Sequence, residues 1–310
     1  EKVLSFASFN SPLRLTSKDL DTAPLPHPLS NLDKYNRGRT LVVAGSNKYR
    51  GASLLALQGA LASGVGSINA VLPKIVADSL WQVLPEVVIQ GLSKTSSNDE
   101  VLLRESLLDI DFSNFDSLLI GPGLGLCDEA WSGFAEILSD FYGLLILDAD
   151  ALNRLAKSSE NWRWLLKRKG PTWLTPHKKE FERLFPDLIS LTSLEAATEA
   201  AKRSKAVVLL KGANSVVADP FGRKWQLSQT ASYSARTGLG DVLAGFLAGI
   251  GAAGISSSNE LKSEFFAAAV LLHAEAAKKC PYGTNAGSIA TFLGQIRKDF
   301  QTKKCLQRNI

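Results

Sequence analysis

The feature that most constrains the fold is an alternation, from Thr40 onward, of short β-branched or leucine-rich runs with longer stretches of helical composition. RTLVVAG (39–45) predicts a buried strand, ASLLALQGALASG (52–64) a helix and SINAVLP (67–73) the next strand. Several strands are apolar on both faces, which is typical of a parallel sheet that helices cover on each side. The sequence therefore predicts an α/β fold with a doubly wound, mostly parallel sheet flanked by helices.

Residues 1–37 do not share this rhythm. They contain Pro24, Pro26 and Pro28 and show no clear hydrophobic period, so we expect an N-terminal arm or linker that lies on the surface. We expect residues 38–310 to form one domain.

Composition excludes several classes of protein. The 310 residues, 45% of them hydrophobic, suffice for a soluble globular protein with a large hydrophobic core. The net charge of +5 comes from lysines and arginines interleaved with acids, which does not indicate a nucleic-acid surface but suits small polyanions such as nucleotides. The apolar run 242–255 is shorter than a membrane span and the N-terminal residues lack the pattern of a secretion signal, so we expect no membrane partner. Three widely spaced cysteines argue against disulfides or zinc and fit a cytoplasmic protein.

The unusual motifs come directly after predicted strands, where ligands bind in open parallel sheets. Neither glycine-rich loop is a GxGxxG dinucleotide fingerprint or a Walker A phosphate loop, so a nucleotide would have to bind without them. The motifs are GSNKYRGA (45–52), GPGLG (121–125), DADALN (148–153), TPHKKE (175–180) and KGANS (211–215).

The sequence GLGD (238–241) indicates an anion site. Glycines before a helix leave its first backbone N–H groups free to bind an anion, and the helix dipole favours negative charge there. Asp241 could then act as general base for a hydroxyl group that approaches a bound phosphate. The alternative is that Asp241 only caps the helix, because Asp is a preferred N-cap residue.

Two further motifs carry acids after strands. Asp148 and Asp150 lie in one and Glu180 in the other, and carboxylates so placed could hold Mg²⁺ through water. Structural alternatives stay open, because Asp150 could cap the next helix and His177 could be an ordinary turn residue.

KGANS lies between a predicted strand and a predicted hairpin whose turn falls at 219–222, so it could be a simple turn or a nucleotide loop. We expect His27, in the proline-rich arm, and His273, in an alanine-rich helix, to be structural.

Together and in this order, the motifs resemble the ADP- or ATP-dependent NAD(P)H-hydrate dehydratases, a branch of the ribokinase-like superfamily. The likeness runs from about Gly38 to Leu293, and six motifs in register carry it. It implies a repair reaction in which the 6S hydrate of NADH or NADPH is phosphorylated on its C6 hydroxyl group and then loses phosphate. The TPH form of the substrate loop resembles that of bacterial members, which typically use ADP where eukaryotic ones use ATP, so the resemblance favours ADP as the donor, with Mg²⁺ as cofactor.

The resemblance also implies residue roles. Asp241 would be the catalytic base, with Gly238, Leu239 and Gly240 in the anion hole. The implied substrate contacts are Ala52, Gly121, Gly123, His177 and Asp241, the nucleotide contacts are Lys211, Gly212, Ala213, Asn214, Ser215 and Gly240, and the metal-associated acids are Glu180 and Asp148.

One position departs from the family pattern. The anion hole usually resembles GGTGD, whereas here Thr237 and Leu239 occupy the first and third positions. The Leu239 side chain cannot donate a hydrogen bond to phosphate, but its backbone N–H can, so we expect activity with an altered rate or nucleotide preference. Arg236 is a further candidate for supplying positive charge.

The resemblance extends to partners. Many members carry an N-terminal epimerase domain, which residues 1–37 are too short to form, so we expect either the C-terminal part of a fusion or a standalone enzyme that works beside an epimerase. Members commonly assemble, which implies a homo-oligomer.

Two alternatives remain at this stage. A ribokinase-like kinase of the hydroxyethylthiazole or pyridoxal type would share the fold and the GxGD motif but accumulate a phosphorylated product. A non-catalytic nucleotide-binding protein would bind nucleotide without turnover. This alternative stays open because the geometry of the site, and not the mere presence of Asp241, decides whether it catalyses a reaction.

Overall fold

The computed structural model describes residues 13–26, 35–127, 131–227, 235–258 and 261–308. Over these ranges the chain forms one ten-stranded sheet with helices on both faces, and a separate two-stranded pair, β5 with β6. The strands are β1 (Leu13–Leu15), β2 (Arg39–Val43), β3 (Ser67–Leu72), β4 (Val88–Leu92), β5 (Lys94–Thr95), β6 (Val101–Leu102), β7 (Ser117–Ile120), β8 (Leu144–Leu147), β9 (Thr172–Leu174), β10 (Val207–Leu210), β11 (Val216–Ala218) and β12 (Lys224–Leu227). The helices are α1 (Arg50–Ala62), α2 (Lys74–Leu80), α3 (Leu103–Leu107), α4 (Ser132–Asp140), α5 (Ala149–Lys157), α6 (Lys178–Leu184), α7 (Ser193–Ser204), α8 (Leu239–Ser258), α9 (Ser263–Lys279) and α10 (Ala286–Arg308).

The strand order is β1-β12-β11-β10-β9-β8-β7-β2-β3-β4. Neighbours from β10 to β4 are parallel, whereas β11 is antiparallel to β10 and β12. The predicted fold class is confirmed. The hairpin is confirmed as well, because the N–H of Gly222 donates to the carbonyl of Asp219 at 3.2 Å in the turn between β11 and β12.

Alternate residues of the central strands enter two separate cores. In β2, Val42 belongs to the core under α1, α8 and α9, and Leu41 and Val43 belong to the core under α4 to α7. Burial on both faces explains why these strands are continuously apolar in sequence.

The N-terminal segment differs from the predicted surface arm. Leu13–Leu15 pairs in parallel with β12 at the edge of the sheet, and Leu15, Leu20 and Leu25 are buried in the same core as α8. An edge strand forms hydrogen bonds with a neighbour on only one side. Three residues are therefore enough to form β1, and the prolines that follow it do not interrupt the sheet. The arm prediction is therefore wrong for residues 13–26; His27 and Pro28 lie outside the described residues.

Helix α8 is longer than the apolar run suggested. It extends over twenty residues, and among the described helices it alone is long and apolar enough by composition to cross a membrane. About two thirds of that stretch is buried inside the protein, where α8 packs against α1, α9 and strands β2, β7 and β8. These contacts identify α8 as the core helix of the fold.

Small residues bring α1 and α8 into backbone contact. A β-carbon added at Gly245 would lie 1.7 Å from the carbonyl oxygen of Ala56. We expect Gly245→Ala to lower the free energy of unfolding by about 1–3 kcal/mol, because the helices must move apart to admit the methyl group. Denaturant unfolding measures this effect. In Gly51→Ala, the matched control in α1, no atom of the described residues outside the local chain lies within 4 Å of the new carbon, and stability should be unchanged or higher. Equal losses in both variants would contradict the close contact.

Candidate active site

The five motif loops follow five adjacent strands, β2, β7, β8, β9 and β10, so they meet at one edge of the sheet. This is the edge that the sequence predicted to carry the chemistry. The N-terminus of α8 reaches the same edge, since a β-carbon at Gly240 would lie 3.7 Å from Nζ of Lys211.

The first turn of α8 has the backbone geometry of an anion site. Gly238 has φ of +88°, and a β-carbon there would lie 2.3 Å from the Leu55 side chain, so glycine is required. The helix begins at Leu239, whose N–H donates to the carbonyl of Arg236 over a long 3.4 Å. The N–H groups at such an end have no carbonyl one turn earlier and can bind an anion. Asp241 is the third residue of the helix rather than its cap.

A buried ion pair lies beside this turn. Nζ of Lys211 is 2.7 Å from Oδ1 of Asp148, which also accepts a 2.7 Å hydrogen bond from Oγ1 of Thr175. Burial alone would lower the pKa of the Lys211 ammonium, but the negative charges of Asp148, Glu180 and Asp241 outweigh it and raise that pKa. Lys211 therefore keeps its positive charge.

Asp241 is poised to exchange a proton near neutral pH. Burial, and then the negative charge of Asp148, raises its pKa to about 7, against the opposing influence of Lys211. A carboxyl group with this pKa can be ionised at neutral pH and still accept a proton readily, as a general base requires.

His177 and Glu180 form a reciprocal cap at the start of α6. Nδ1 of His177 accepts hydrogen bonds from the N–H groups of Lys179 (3.1 Å) and Glu180 (3.4 Å), and the Glu180 carboxylate accepts one from the N–H of His177 (2.8 Å). Burial is the largest influence on both, raising the pKa of Glu180 to about 6 and lowering that of His177. His177 is half-exposed and Glu180 is buried. His177 is therefore a helix cap whose ring also reaches the site.

The GPGLG turn packs against two other motif loops. Gly121, at φ +142°, would place a β-carbon 1.8 Å from the carbonyl oxygen of Asp148, and Gly123, at φ +67°, would place one 2.7 Å from Cβ of Ala52. The N–H of Gly125 donates to Oδ2 of Asp150 at 2.9 Å. Asp150 thus fixes the glycine turn, and the alternative that it caps α5 is wrong, because α5 begins after Asp148.

A cavity of about 610 Å³ opens beside Lys211 and Gly240, which form part of its wall. Its walls come from β10, the KGANS loop, α8 and α9, and they are mainly apolar. The polar groups among them include His177, Lys211, Gly212, Ser215, Arg236 and His273. Size and lining suit a nucleotide whose phosphates point to the start of α8.

The structure brings most of the predicted residues to this edge. Asn214 lines a neighbouring cavity of about 520 Å³ on the far side of its loop instead. His273 lines the nucleotide-sized cavity, although its alanine-rich helix gave no functional signal. Leu209, Leu243, Val270, Ala274 and Ala277 were also missed, because apolar walls look like ordinary core in a sequence.

The doubly wound sheet places this protein in the ribokinase-like class. Its glycine N–H groups at a helix start, its carboxyl group with a pKa near 7 and its cavity are the features that a phosphate site in this class requires. Comparison with known proteins narrows this class. The family model for NAD(P)H-hydrate dehydratase matches residues 40–301. The chain belongs to the NAD(P)H-hydrate dehydratase family.

Individual relatives agree with this assignment. The chain is 41% identical over 229 residues to the bifunctional NAD(P)H-hydrate repair enzyme Nnr of Synechocystis, covering 74% of this chain and 42% of the relative. It is 33% identical to the ADP-dependent (S)-NAD(P)H-hydrate dehydratase of Xanthomonas campestris, covering 77% and 80%. The crystal structure of the Bacillus subtilis ADP/ATP-dependent NAD(P)H-hydrate dehydratase, co-crystallised with ATP/Mg²⁺, superposes with a TM-score of 0.74 at 27% identity, covering 94% and all of its chain. The chain therefore spans less than half the length of the bifunctional relative but most of the length of the Xanthomonas and Bacillus proteins.

Proposed function

We propose that this chain catalyses the nucleotide-dependent dehydration of the 6S epimer of NADH or NADPH hydrate. The observation that carries the proposal is Asp241, a carboxyl group with a pKa near 7 in the first turn of α8, beside the N–H groups of an anion site. Family membership supplies the substrate class, because a monofunctional relative of similar extent is an ADP-dependent hydrate dehydratase.

Each residue has a specific part in this reaction. Asp241 takes the proton from the C6 hydroxyl group while that oxygen attacks the terminal phosphoryl group of the nucleotide. The N–H group of Gly240 holds the phosphoryl oxygens, joined by that of Leu239 when it exchanges its long bond to the Arg236 carbonyl for phosphate, and Lys211 balances the charge that develops there. The C6–O bond then breaks and phosphate leaves while C5 loses a proton to solvent, which forms the C5=C6 double bond and restores the dihydronicotinamide ring. With ADP the balance is one AMP and one phosphate for each hydrate consumed.

The two substrates occupy opposite sides of Lys211 and Gly240. The cavity takes the adenine nucleotide, with its phosphates on the KGANS loop at 211–215, and we favour ADP because the Xanthomonas relative is ADP-dependent. The hydrate lies against Ala52, Gly121 and Gly123, within reach of Asp241.

Magnesium fits this site only as an ion that arrives with the nucleotide. The described residues hold no group of three His, Cys, Asp or Glu side chains able to form a metal cage. Asp148 is already bonded to Lys211 and Thr175, and Glu180 to the N–H of His177. Mg²⁺ commonly binds phosphates and waters with one or two carboxylates, so Glu180 and Asp148 would hold it through water, where it neutralises phosphate charge.

A partner for this protein is suggested by its bifunctional relatives. We propose that the protein works with, or is joined to, an NAD(P)H-hydrate epimerase; the Synechocystis relative is a bifunctional repair enzyme of which the matched segment covers only 42%. A homo-oligomer in the cytoplasm stays a prediction.

The direct test is product analysis. Purified protein given NADPH hydrate, Mg²⁺ and ADP should release AMP, phosphate and NADPH in equal amounts. A stable phosphorylated hydrate without NADPH would instead identify a kinase.

The rate should depend on pH through Asp241. Since the base acts when deprotonated, kcat/KM should rise with pH along a limb whose midpoint lies near 7, the pKa of Asp241 in the free protein. A pH profile of kcat/KM measures this midpoint. Glu180→Gln is the control, because Glu180, with its pKa of about 6, is another group at the site that titrates in this range. The limb should persist in that variant, and its loss would assign the titration to Glu180.

A further inference from the structure

Leu239 occupies the position where the related motif pattern has a small hydroxyl residue, and its side chain has an evident packing role. It packs against an apolar cluster made of Ala277 and Cys280 at the end of α9 and Ile289 in α10. The first residue of α8 is thereby attached to two other helices.

A second contact reaches the backbone of the same residue. The ring of His273, in α9, is hydrogen-bonded to the backbone of Leu239, and only 7% of the residue is exposed. Burial is the main cause that lowers the pKa of His273 to about 4, so the ring is neutral and carries one N–H. Within the described part of the chain Nε2 has no hydrogen-bond partner, which places the proton on Nδ1 and makes the ring the donor to the Leu239 carbonyl.

Both contacts act where a helix is least stable. The first turn lacks intrahelical partners for its N–H groups and frays readily unless tertiary contacts hold it. An anion hole stabilises a developing charge best when its donors are fixed before the reaction. Fixing Leu239 from both its side chain and its carbonyl fixes the N–H groups of Leu239, Gly240 and Asp241 together.

We propose that Leu239 and His273 are positioning residues that preset the anion hole, so that packing and a backbone hydrogen bond replace the missing side-chain hydroxyl donor. This inference rests on the proposed function, because it takes the start of α8 to be the phosphate site. In this interpretation Leu239 stabilises the anion hole and does not mark a site that has lost its function.

Leu239→Thr separates these two interpretations because they predict opposite changes in the affinity for ADP. If Leu239 is an anchor, the variant regains a hydroxyl group but loses its packing, and ADP should bind about tenfold more weakly. If Leu239 only marks a damaged anion hole, the variant should bind ADP as tightly as the parent or more tightly, which would overturn the proposal.

Two variants of His273 provide the matched pair. His273→Asn keeps an N–H donor near the position of Nδ1 and should retain ADP affinity within about threefold. His273→Phe keeps the ring but donates no hydrogen bond, so ADP should bind about tenfold more weakly. Because Phe also removes the buried, unpartnered Nε2, this variant should melt no lower than the parent. A purely structural histidine would leave ADP affinity unchanged in both.

The measurement is calorimetric titration with ADP and, separately, with adenosine, in the absence of hydrate. Leu239→Thr and His273→Phe should weaken ADP about tenfold and adenosine, which carries no phosphate but contacts the same cavity walls, by much less. Equal losses for both ligands, or no loss for ADP, would refute the anchor. Titration does not require turnover, so a failure of the proposed reaction would be seen separately, as ADP binding without NADPH formation.

Discussion

Replacing Asp241 by Asn should lower kcat by about 10²–10⁴-fold, because the variant cannot accept the proton of the C6 hydroxyl group. The same change should raise the free energy of unfolding at pH 8 by ~1–3 kcal/mol, a range that allows for the partial exposure of the group. Ionised Asp241 is buried beside Asp148, and neutral Asn removes that cost. Steady-state kinetics and chemical denaturation measure the two effects.

The pH dependence of this stabilisation has a definite sign. The folded-state pKa of Asp241, about 7, lies above its ordinary value of 3.8, so ionisation opposes folding. The cost is absent below pH 3.8, where the carboxyl group is protonated in both states, and complete above pH 7. The advantage of Asp241→Asn should therefore appear between these limits. The exposed Asp109, replaced by Asn, is the control and should change neither kcat nor stability. An Asp241→Asn enzyme with parental kcat would contradict the assigned base.

Replacing Lys211 by Met should be the second large change. The variant leaves the buried carboxyl group of Asp148 without its 2.7 Å partner, which should cost about 3–5 kcal/mol of folding free energy. It also removes the positive charge beside Gly240, so kcat should fall by about 10²-fold or more. Thermal unfolding and kinetics with saturating nucleotide measure the two losses.

A second substitution separates the two losses. In Lys211→Met/Asp148→Asn no unpaired buried charge remains at this pair, and Asn can still accept a hydrogen bond from Oγ1 of Thr175. Stability should return towards that of the parent while activity stays low. Lys202→Met, an exposed position in α7, is the matched control and should leave both unchanged. Full recovery of activity in the double variant would show that Lys211 has only a structural role.

The loops of this site were predictable because their signals are local. Glycines, acids and a lysine directly after apolar strands define both the element boundaries and the edge at which they meet, as Gly121, Asp148 and Lys211 illustrate. The parallel order of the strands made their convergence a geometric consequence.

The strands and the site residue that the sequence did not predict escaped for different physical reasons. Strand β1 is three residues long and is fixed by a partner, Trp225, more than two hundred residues away, which no local pattern shows. Strand β4, at the opposite edge, was also missed, because its residues are largely exposed and lack alternation. His273 resembles a core histidine in every local respect, and only the packing of α9 beside Leu239 brings it to the site. Long-range packing, rather than residue type, decided the cases of β1 and His273.

The central claim is tested most directly by the near-ultraviolet absorbance of the reduced nicotinamide ring. NADH hydrate, Mg²⁺ and either ADP or ATP are given to the purified protein and, in parallel, to Asp241→Asn. We expect absorbance to recover with ADP in the parent protein and to be almost abolished in the variant, with slower recovery from ATP. If neither nucleotide restores absorbance to a protein that binds both of them, the dehydratase assignment for this chain is contradicted.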